Sequence, residues 1–299
     1  MVGSAIARRL NTEPSRVLVG ADGQPDWTDA AAVDAFLADV RPDEVIVAAG
    51  RAAGIAVNQR SPADLMLENL LVAAHLVPAA WRHDVSKLLY LASSCTYPRA
   101  ASQPFKVGDL WTGPVEPTSA AYATAKLAGL RLCEAYRQQH AATFLSVVAA
   151  DVFGPGDDFS QDGSGHVISA LIARMHHAKV SGAPRVVIWG TGAPRREFLH
   201  ADDLADALLF LMQIYEGPQP INIGTGVTTS IRELAEMVRE TVAFGGELAF
   251  DVSRPDGAPV KWLDSSPLRA LGWAPTRDLR ESLASTYQWF LDHQNDRSR

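Results

Sequence analysis

Leu91-Ala92-Ser93-Ser94-Cys95-Thr96-Tyr97-Pro98, followed by Ala121-Tyr122-Ala123-Thr124-Ala125-Lys126, are the two stretches that decide how this chain reads. The first continues Lys87-Leu88-Leu89-Tyr90-Leu91, an apolar run expected to be a buried parallel strand. The second opens a long helical pattern. Positions four apart share a helix face, so Tyr122 and Lys126 project side by side. An ammonium beside a phenol favours the phenolate, which predicts an acid working near neutral pH at Tyr122. A hydroxyl from Ser93 or Ser94 completes a site able to polarise a carbonyl. Cys95 adds a thiol that a simple carbonyl reductase does not need.

Along the rest of the chain, apolar strands alternate with helices. Residues 2–10 form an amphipathic helix with Val2, Ile6 and Leu10 on one stripe. Arg16–Gly20 reads as a short strand, and Ala30–Val40 as a helix capped by Thr28 or Asp29. Glu44–Gly50 is a further strand. Ser61 as cap and Pro62 at the first helical position start a long helix. A strand over 87–92, a helix over 119–139 and a strand from Phe144 to Ala150 follow. This alternation predicts an α/β, doubly wound parallel sheet, Rossmann-like, whose ligands sit beyond the carboxyl ends of the strands. Ser93 to Cys95, Ala48 to Arg51 and Asp151 to Gly154 lie at three such ends.

Beyond residue 155 the regularity breaks. A helix from His166 to Ala178 carries Arg174, a strand ends at Trp189-Gly190, a helix starts at Asp202-Asp203, and Ser230 caps another after Ile221–Gly226. The expected division is a dinucleotide-binding domain over 1–154, with 196–226 returning to it. Residues 155–195 and 227–299 form a smaller mixed α/β substrate-binding subdomain.

Composition narrows the class. The chain has 299 residues, 47% hydrophobic and 20% charged, as a globular protein does. A net charge of −7 argues against a nucleic-acid-binding surface. Two cysteines make no disulfide framework, so a reducing compartment is expected. No apolar run is read as membrane-spanning and the N-terminus lacks a secretory pattern, which predicts a cytoplasmic protein with no membrane partner. His176 and His177 have no partners at ligand spacing, so no metal site is expected.

The ordered set Ser93-Ser94-Cys95-Thr96-Tyr97-Pro98, Glu116-Pro117-Thr118 and Tyr122-Ala123-Thr124-Ala125-Lys126 resembles the extended short-chain dehydrogenase/reductases. Within them it is most similar to the GDP-L-fucose synthases. Ser61-Pro62-Ala63-Asp64, Gly165-His166-Val167-Ile168, Trp189-Gly190-Thr191-Gly192, Arg196-Glu197-Phe198-Leu199-His200, Asn222-Ile223-Gly224-Thr225-Gly226 and Pro255-Asp256-Gly257 extend the likeness along the chain. The resemblance implies epimerisation of GDP-4-keto-6-deoxy-D-mannose at C3 and C5, then reduction of its C4 ketone by NADPH to give GDP-L-fucose. It implies that Ser93 and Tyr122 hold the ketone oxygen, that Lys126 binds the nicotinamide ribose, and that Cys95 and His166 are the acid/base pair. Arg174, Trp189, Arg196, Asp256 and Lys261 are implied to bind the GDP-sugar. Gly3, Asp22, Asp26, Trp27, Ala48, Ala49, Leu91, Ala92, Ser93, Ser94, Lys126, Ala149, Ala150, Asp151, Val152 and His166 are implied to line the dinucleotide. In related folds the helices over 62–77 and 119–139 form a homodimer bundle; a buried intramolecular face is the equal reading.

Three departures stand out. The family opens with a strand and a G-x-x-G-x-x-G turn that cradles pyrophosphate, of which only Gly3 has a counterpart. This predicts either a reading frame starting upstream, the favoured reading, or a chain that lacks its phosphate cradle, and poor dinucleotide binding by the chain as given. Family members carry arginine after the second strand to meet the 2′-phosphate of NADP(H), whereas this chain reads Gly20-Ala21-Asp22-Gly23. An aspartate there suits a free ribose hydroxyl, so NAD(H) stays open beside NADP(H), as does a plain turn role for Asp22. Finally, Ala149-Ala150-Asp151-Val152-Phe153-Gly154 replaces a Pro-Thr-Asn-Leu-Tyr-Gly pattern and puts a carboxylate where the family has an amide.

Plainer roles compete with several of these. Cys95 could be a packed thiol, His166 a helix cap, Trp189 core and Lys261 ordinary surface. Rival functions are the same fold acting on another nucleotide sugar, a non-catalytic binding protein, or a cysteine hydrolase, which leaves Tyr122 and Lys126 unexplained.

Overall fold

The computed structural model describes residues 1–13, 24–160, 165–254 and 256–293. Helix α1 (Val2–Leu10) and helix α2 (Ala30–Val40) precede strand β1 (Glu44–Val47). Asp29 caps α2, accepting from the amides of Ala31 and Ala32 at 2.8 and 3.2 Å. The expected strand over 16–20 and Asp22 fall outside the described residues. β1 ends three residues before the predicted Gly50, because Gly50 turns to φ +104°. A short helix α3 (Ile55–Arg60) then leads into α4 (Pro62–Arg82). Ser61 stands at the joint, its amide donating back to Val57 O at 2.9 Å, and its side chain caps nothing. The expected cap is therefore absent, and Pro62 alone marks the start.

Strand β2 (Lys87–Ser93), helix α5 (Ala120–His140) and strand β3 (Phe144–Ala149) follow. The chain then makes β4 (Asp151–Phe153), α6 (Val167–Ser181), β5 (Arg185–Trp189), β6 (Arg195–Arg196), β7 (Phe198–His200), α7 (Ala201–Ile214) and β8 (Ile221–Ile223). It closes with β9 (Thr229–Ser230), α8 (Ile231–Val242), β10 (Glu247–Asp251), β11 (Val260–Lys261), α9 (Ser266–Ala270) and α10 (Leu279–Asp292). As expected, Ser230 caps α8, in a reciprocal box with Glu233.

The main sheet runs β1-β2-β3-β8, with every neighbouring pair parallel. Helices α4 and α5 pack together against one side, and α1 rides on α7. Leu88, Leu89, Tyr90, Val147, Val148 and Leu208 fill the core around the sheet. A second apolar cluster joins α6, α8 and α10 through Ile172, Met175, Leu234, Val238 and Leu283. Small parallel pairs, β4 with β7 and β6 with β11, lie among the elements bearing candidate site residues.

α4 corrects one expectation: its 21 residues, with mean hydropathy 1.3 over a window, are long and apolar enough to cross a membrane by length and composition. Its burial of Leu65, Val72, Ala73, Leu76 and Val77 in the core gives those residues a packing role instead.

Candidate active site

Chain geometry brings the two opening stretches together. β2 ends at Ser93, and a single 3₁₀ turn over Ser94–Thr96 presents Cys95 at its rim, with the Cys95 amide donating to Ser93 Oγ at 3.4 Å. One helical turn apart on α5, Tyr122 and Lys126 face this strand end, and the Tyr122 and Ser93 hydroxyls are hydrogen-bonded. The Lys126 ammonium donates to Leu91 O at 3.3 Å and lies 5.2 Å from the Tyr90 ring centroid.

The expected phenolate is not what the structure holds. Burial raises the Tyr122 hydroxyl well above its ordinary value, the nearby Cys95 adds to the rise, and the Ser93 hydrogen bond opposes it. Lys126 is itself only 7% exposed, and burial pulls its ammonium down to about 8. With Nζ 5.9 Å from the Tyr122 ring centroid, the lysine does not offset two desolvation costs. Burial thus favours the protonated form of Tyr122.

The other side of the site is made of charged pairs. β11 lies beside β6 in a register that sets Lys261 against Arg196. From there Lys261 Nζ reaches Asp151 Oδ1 at 2.7 Å and Cys95 Sγ at 3.8 Å. Ser94 Oγ donates to the same carboxylate at 3.4 Å. Burial opposes ionisation of Asp151, yet Lys261 and, more weakly, Arg196 and His166 hold it below its ordinary value. His166 is the N-cap residue of α6, and its Nδ1 lies 3.3 Å from Oδ1 of the buried Asp157. That hydrogen bond raises His166 above the usual imidazole value against the pull of burial.

The remaining predicted residues are more dispersed. Arg196 donates to Ala258 O at 2.7 Å and to Arg195 O at 2.8 Å. At the β5–β10 edge the Arg174 guanidinium donates to Val187 O, and the 62%-exposed Trp189 ring carries the Arg254 guanidinium 5.0 Å from its centroid. The Asp256 carboxylate accepts from the amide and hydroxyl of Thr191 at 2.9 and 2.7 Å. Asp26 accepts from Thr28 in its own turn, and Trp27 packs edge-on against Phe36. Ala48 and Ala49 follow β1. Ala92, Ala149 and Ala150 are buried, and Ala150 N donates to Ile223 O at 3.0 Å. Val152 sits in β4 opposite Leu199.

Sequence reading missed several supports. Asp157 stands nine residues before His166, in the stretch where the strand–helix alternation breaks. Glu197 is 1% exposed and accepts from the amides of Gly226 at 2.6 Å and Leu263 at 2.9 Å, tying together the loops that flank Arg196 and Lys261. Asn222 bonds Tyr97 Oη at 2.6 Å and Phe105 O at 2.9 Å. A polar side chain in the middle of so apolar a strand was the available signal.

The donor set fits a nicotinamide nucleotide: an ammonium with one backbone acceptor beside two bonded hydroxyls suits ribose hydroxyls and a carbonyl oxygen. At the far end, Met1 Cα lies 3.6 Å from where a Cβ on Gly156 would stand, while one on Gly3 meets nothing within 4 Å. The start of α1 thus packs against the 154–156 turn.

Comparison with known proteins agrees. GDP-L-fucose synthase 1 of Arabidopsis thaliana is 46% identical over 97% of this chain and 90% of its own length. GDP-L-fucose synthase of Escherichia coli is 44% identical over 99% of this chain and 95% of its own. The crystal structure of a GDP-L-fucose synthetase from Naegleria fowleri bound to NADP superposes with a TM-score of 0.89 at 26% identity, over 98% of this chain and 92% of that one. Residues 1–224 match the NAD dependent epimerase/dehydratase family, and the chain belongs to it.

Proposed function

We propose that the protein converts GDP-4-keto-6-deoxy-D-mannose to GDP-L-fucose, epimerising C3 and C5 and then reducing C4. The observation that carries this reading is the 3.8 Å contact of Lys261 with Cys95 on the turn that follows Ser93. It sets a thiol and a cation beside hydroxyls suited to a ketone. Ser93 and Tyr122 hold the C4 oxygen, and their hydrogen bonds strengthen as it gains enolate charge. Each neighbouring ring carbon gives its proton to one member of the Cys95/His166 pair and takes a proton on the opposite face from the other. Asp157 holds the His166 ring in place. A reduced nicotinamide, when bound, would supply the hydride that C4 needs. Tyr122, kept protonated by burial, gives its proton to the C4 oxygen, and Lys126 binds the ribose. Arg174 and Arg196 meet the diphosphate, whose geometry suits guanidinium forks.

Likeness to an NADP-bound relative supports NADPH as the reductant; Asp22 is the feature that would favour NADH. The dinucleotide occupies the unit over 1–154 with 196–226, and the sugar occupies the remainder. The α4–α5 pair is the homodimer face, supported by the exposure of Leu67 and Trp81 on α4. The free thiols of Cys95 and Cys133 support a cytoplasmic location.

The test supplies GDP-4-keto-6-deoxy-D-mannose with NADPH or NADH and follows the reduced-nicotinamide absorbance, with product identified by chromatography. Sugar-dependent oxidation yielding GDP-L-fucose is expected. Oxidation giving an unepimerised sugar, or none with either reductant, would overturn the reading.

A further inference from the structure

Among the described residues expected to line the cofactor, Asp151 pairs its carboxylate with Lys261, a residue expected to bind the sugar. It stands where the resembling family carries an amide, and its partner is the Lys261 ammonium at 2.7 Å. The same ammonium touches Cys95 Sγ at 3.8 Å, while Ser94 Oγ, next to Cys95, donates to Asp151 at 3.4 Å. These contacts close a small circuit through three elements: β4, the turn after β2, and β11. An amide at position 151 could accept the same hydrogen bond but would bring no charge.

The geometry points to Asp151 as a positioning residue that keeps Lys261 charged and aimed at Cys95, the residue handling the ring-carbon protons. The inference rests on the reaction proposed above. Lys261 side-chain exposure is 16%, so an uncompensated ammonium there pays a desolvation cost. The titratable and charged groups facing it are Asp151 from β4, Cys95 from the turn, Arg196 from β6 and His166 at the start of α6. Of these, Arg196 opposes its charge, while Asp151 is the strongest support, and the balance keeps Lys261 above its ordinary value. With the Asp151 charge removed, burial and Arg196 remain and the ammonium loses its proton at lower pH. A charged donor then leaves the side of the cleft where negative charge builds on the sugar during proton removal.

Two readouts test this separately. The chain holds five lysines, so protein labelled at lysine Cε gives five NMR titrations, with Lys261 assigned by its loss in Lys261→Arg. In the isosteric Asp151→Asn protein the Lys261 midpoint is expected to fall by about one unit or more, a tenfold change in proton affinity. An unchanged midpoint would overturn the inference, whatever the activity. Solvent-deuterium wash-in at C3 and C5, measured against pH, is the second readout. Asp151→Asn should move its alkaline limb to lower pH, and Lys261→Arg in the same protein should move it back, because a guanidinium keeps its proton. A limb that does not move while the NMR midpoint does would show a purely structural pair and sink the positioning role. Wash-in absent from the unsubstituted protein would count against the reaction, with the NMR titration still deciding the ion pair.

Discussion

The two sides of the candidate site use opposite physics. On the hydride side, Ser93, Tyr122 and Lys126 sit against the main sheet, and burial dominates: it raises the Tyr122 hydroxyl and lowers the Lys126 ammonium to about 8. On the proton-exchange side, His166 and Lys261 are no strangers to burial, yet Asp157 and Asp151 hold both above their ordinary values. Burial therefore leaves Tyr122 with a proton to give, whereas pairing keeps charge next to the carbons that must ionise. One site needs both, because a ketone being reduced wants a neutral acid and a carbanion being formed wants nearby cations.

The sharpest break in this comparison is a crossed pair of substitutions. Tyr122→Phe removes the acid and is expected to lower nicotinamide oxidation by roughly 10²–10⁴. Solvent-deuterium wash-in at the ring carbons should fall less, since Ser93 still holds the oxygen. Cys95→Ser should do the reverse: wash-in lost by a similar factor, reduction of a pre-epimerised ketone spared. Equal loss of both activities in either variant would show that the two sides do not act separately.

Next in size is a stability effect with a definite sign. Burial pulls the Lys126 ammonium down to about 8, from 10.5 for a lysine free in water. Its folded value is depressed, so the unfolded chain binds the extra proton between those limits, and stability from this group rises with pH across them. The full effect is about 3 kcal/mol. Lys126→Met should flatten the rise of melting temperature with pH between 8 and 10 in the cofactor-free protein. A rise of the same slope in both proteins would mean that burial does not govern this side.

Gly129 tests the packing beneath it. A Cβ there would lie 2.2 Å from Tyr90 Cζ, and Tyr90 is the ring under the Lys126 ammonium. Ala in a helix interior normally gains up to about 1 kcal/mol over Gly. Here overpacking is expected to win and destabilise by about 1–3 kcal/mol. Chemical denaturation gives the sign directly.

What the sequence disclosed follows the same divide. Tyr122 and Lys126 were legible because one helical turn relates them, and Ser93 because an apolar run ends there. Strand and helix alternation placed the main sheet for the same local reason. Two- and three-residue strands such as β4, β6 and β11 carry no period of their own, and they form only through distant partners. The Asp151–Lys261 pair spans two such pieces, so Lys261 read as ordinary surface as readily as site. The direction of the Tyr122 shift was out of reach too, since spacing gives neighbours and not the depth of burial.

The smallest predicted effect separates the sides by pH alone. His166 is raised above its ordinary value, with the Asp157 hydrogen bond as the largest cause. A raised imidazole contributes stability that is fully present below its unfolded value near 6.5 and is lost as pH rises through the folded value. Asp157→Asn keeps a hydrogen-bonding side chain but removes the charge. Its melting temperature should fall below that of the unsubstituted protein at pH 6, with the gap narrowing by pH 9. The ring is 38% exposed, so solvent screens the pair and the gap should be a few degrees at most. This trend runs opposite to the one expected from Lys126, where stability rises with pH. A gap that widened with pH would place His166 under the control of burial and remove the distinction between the two sides.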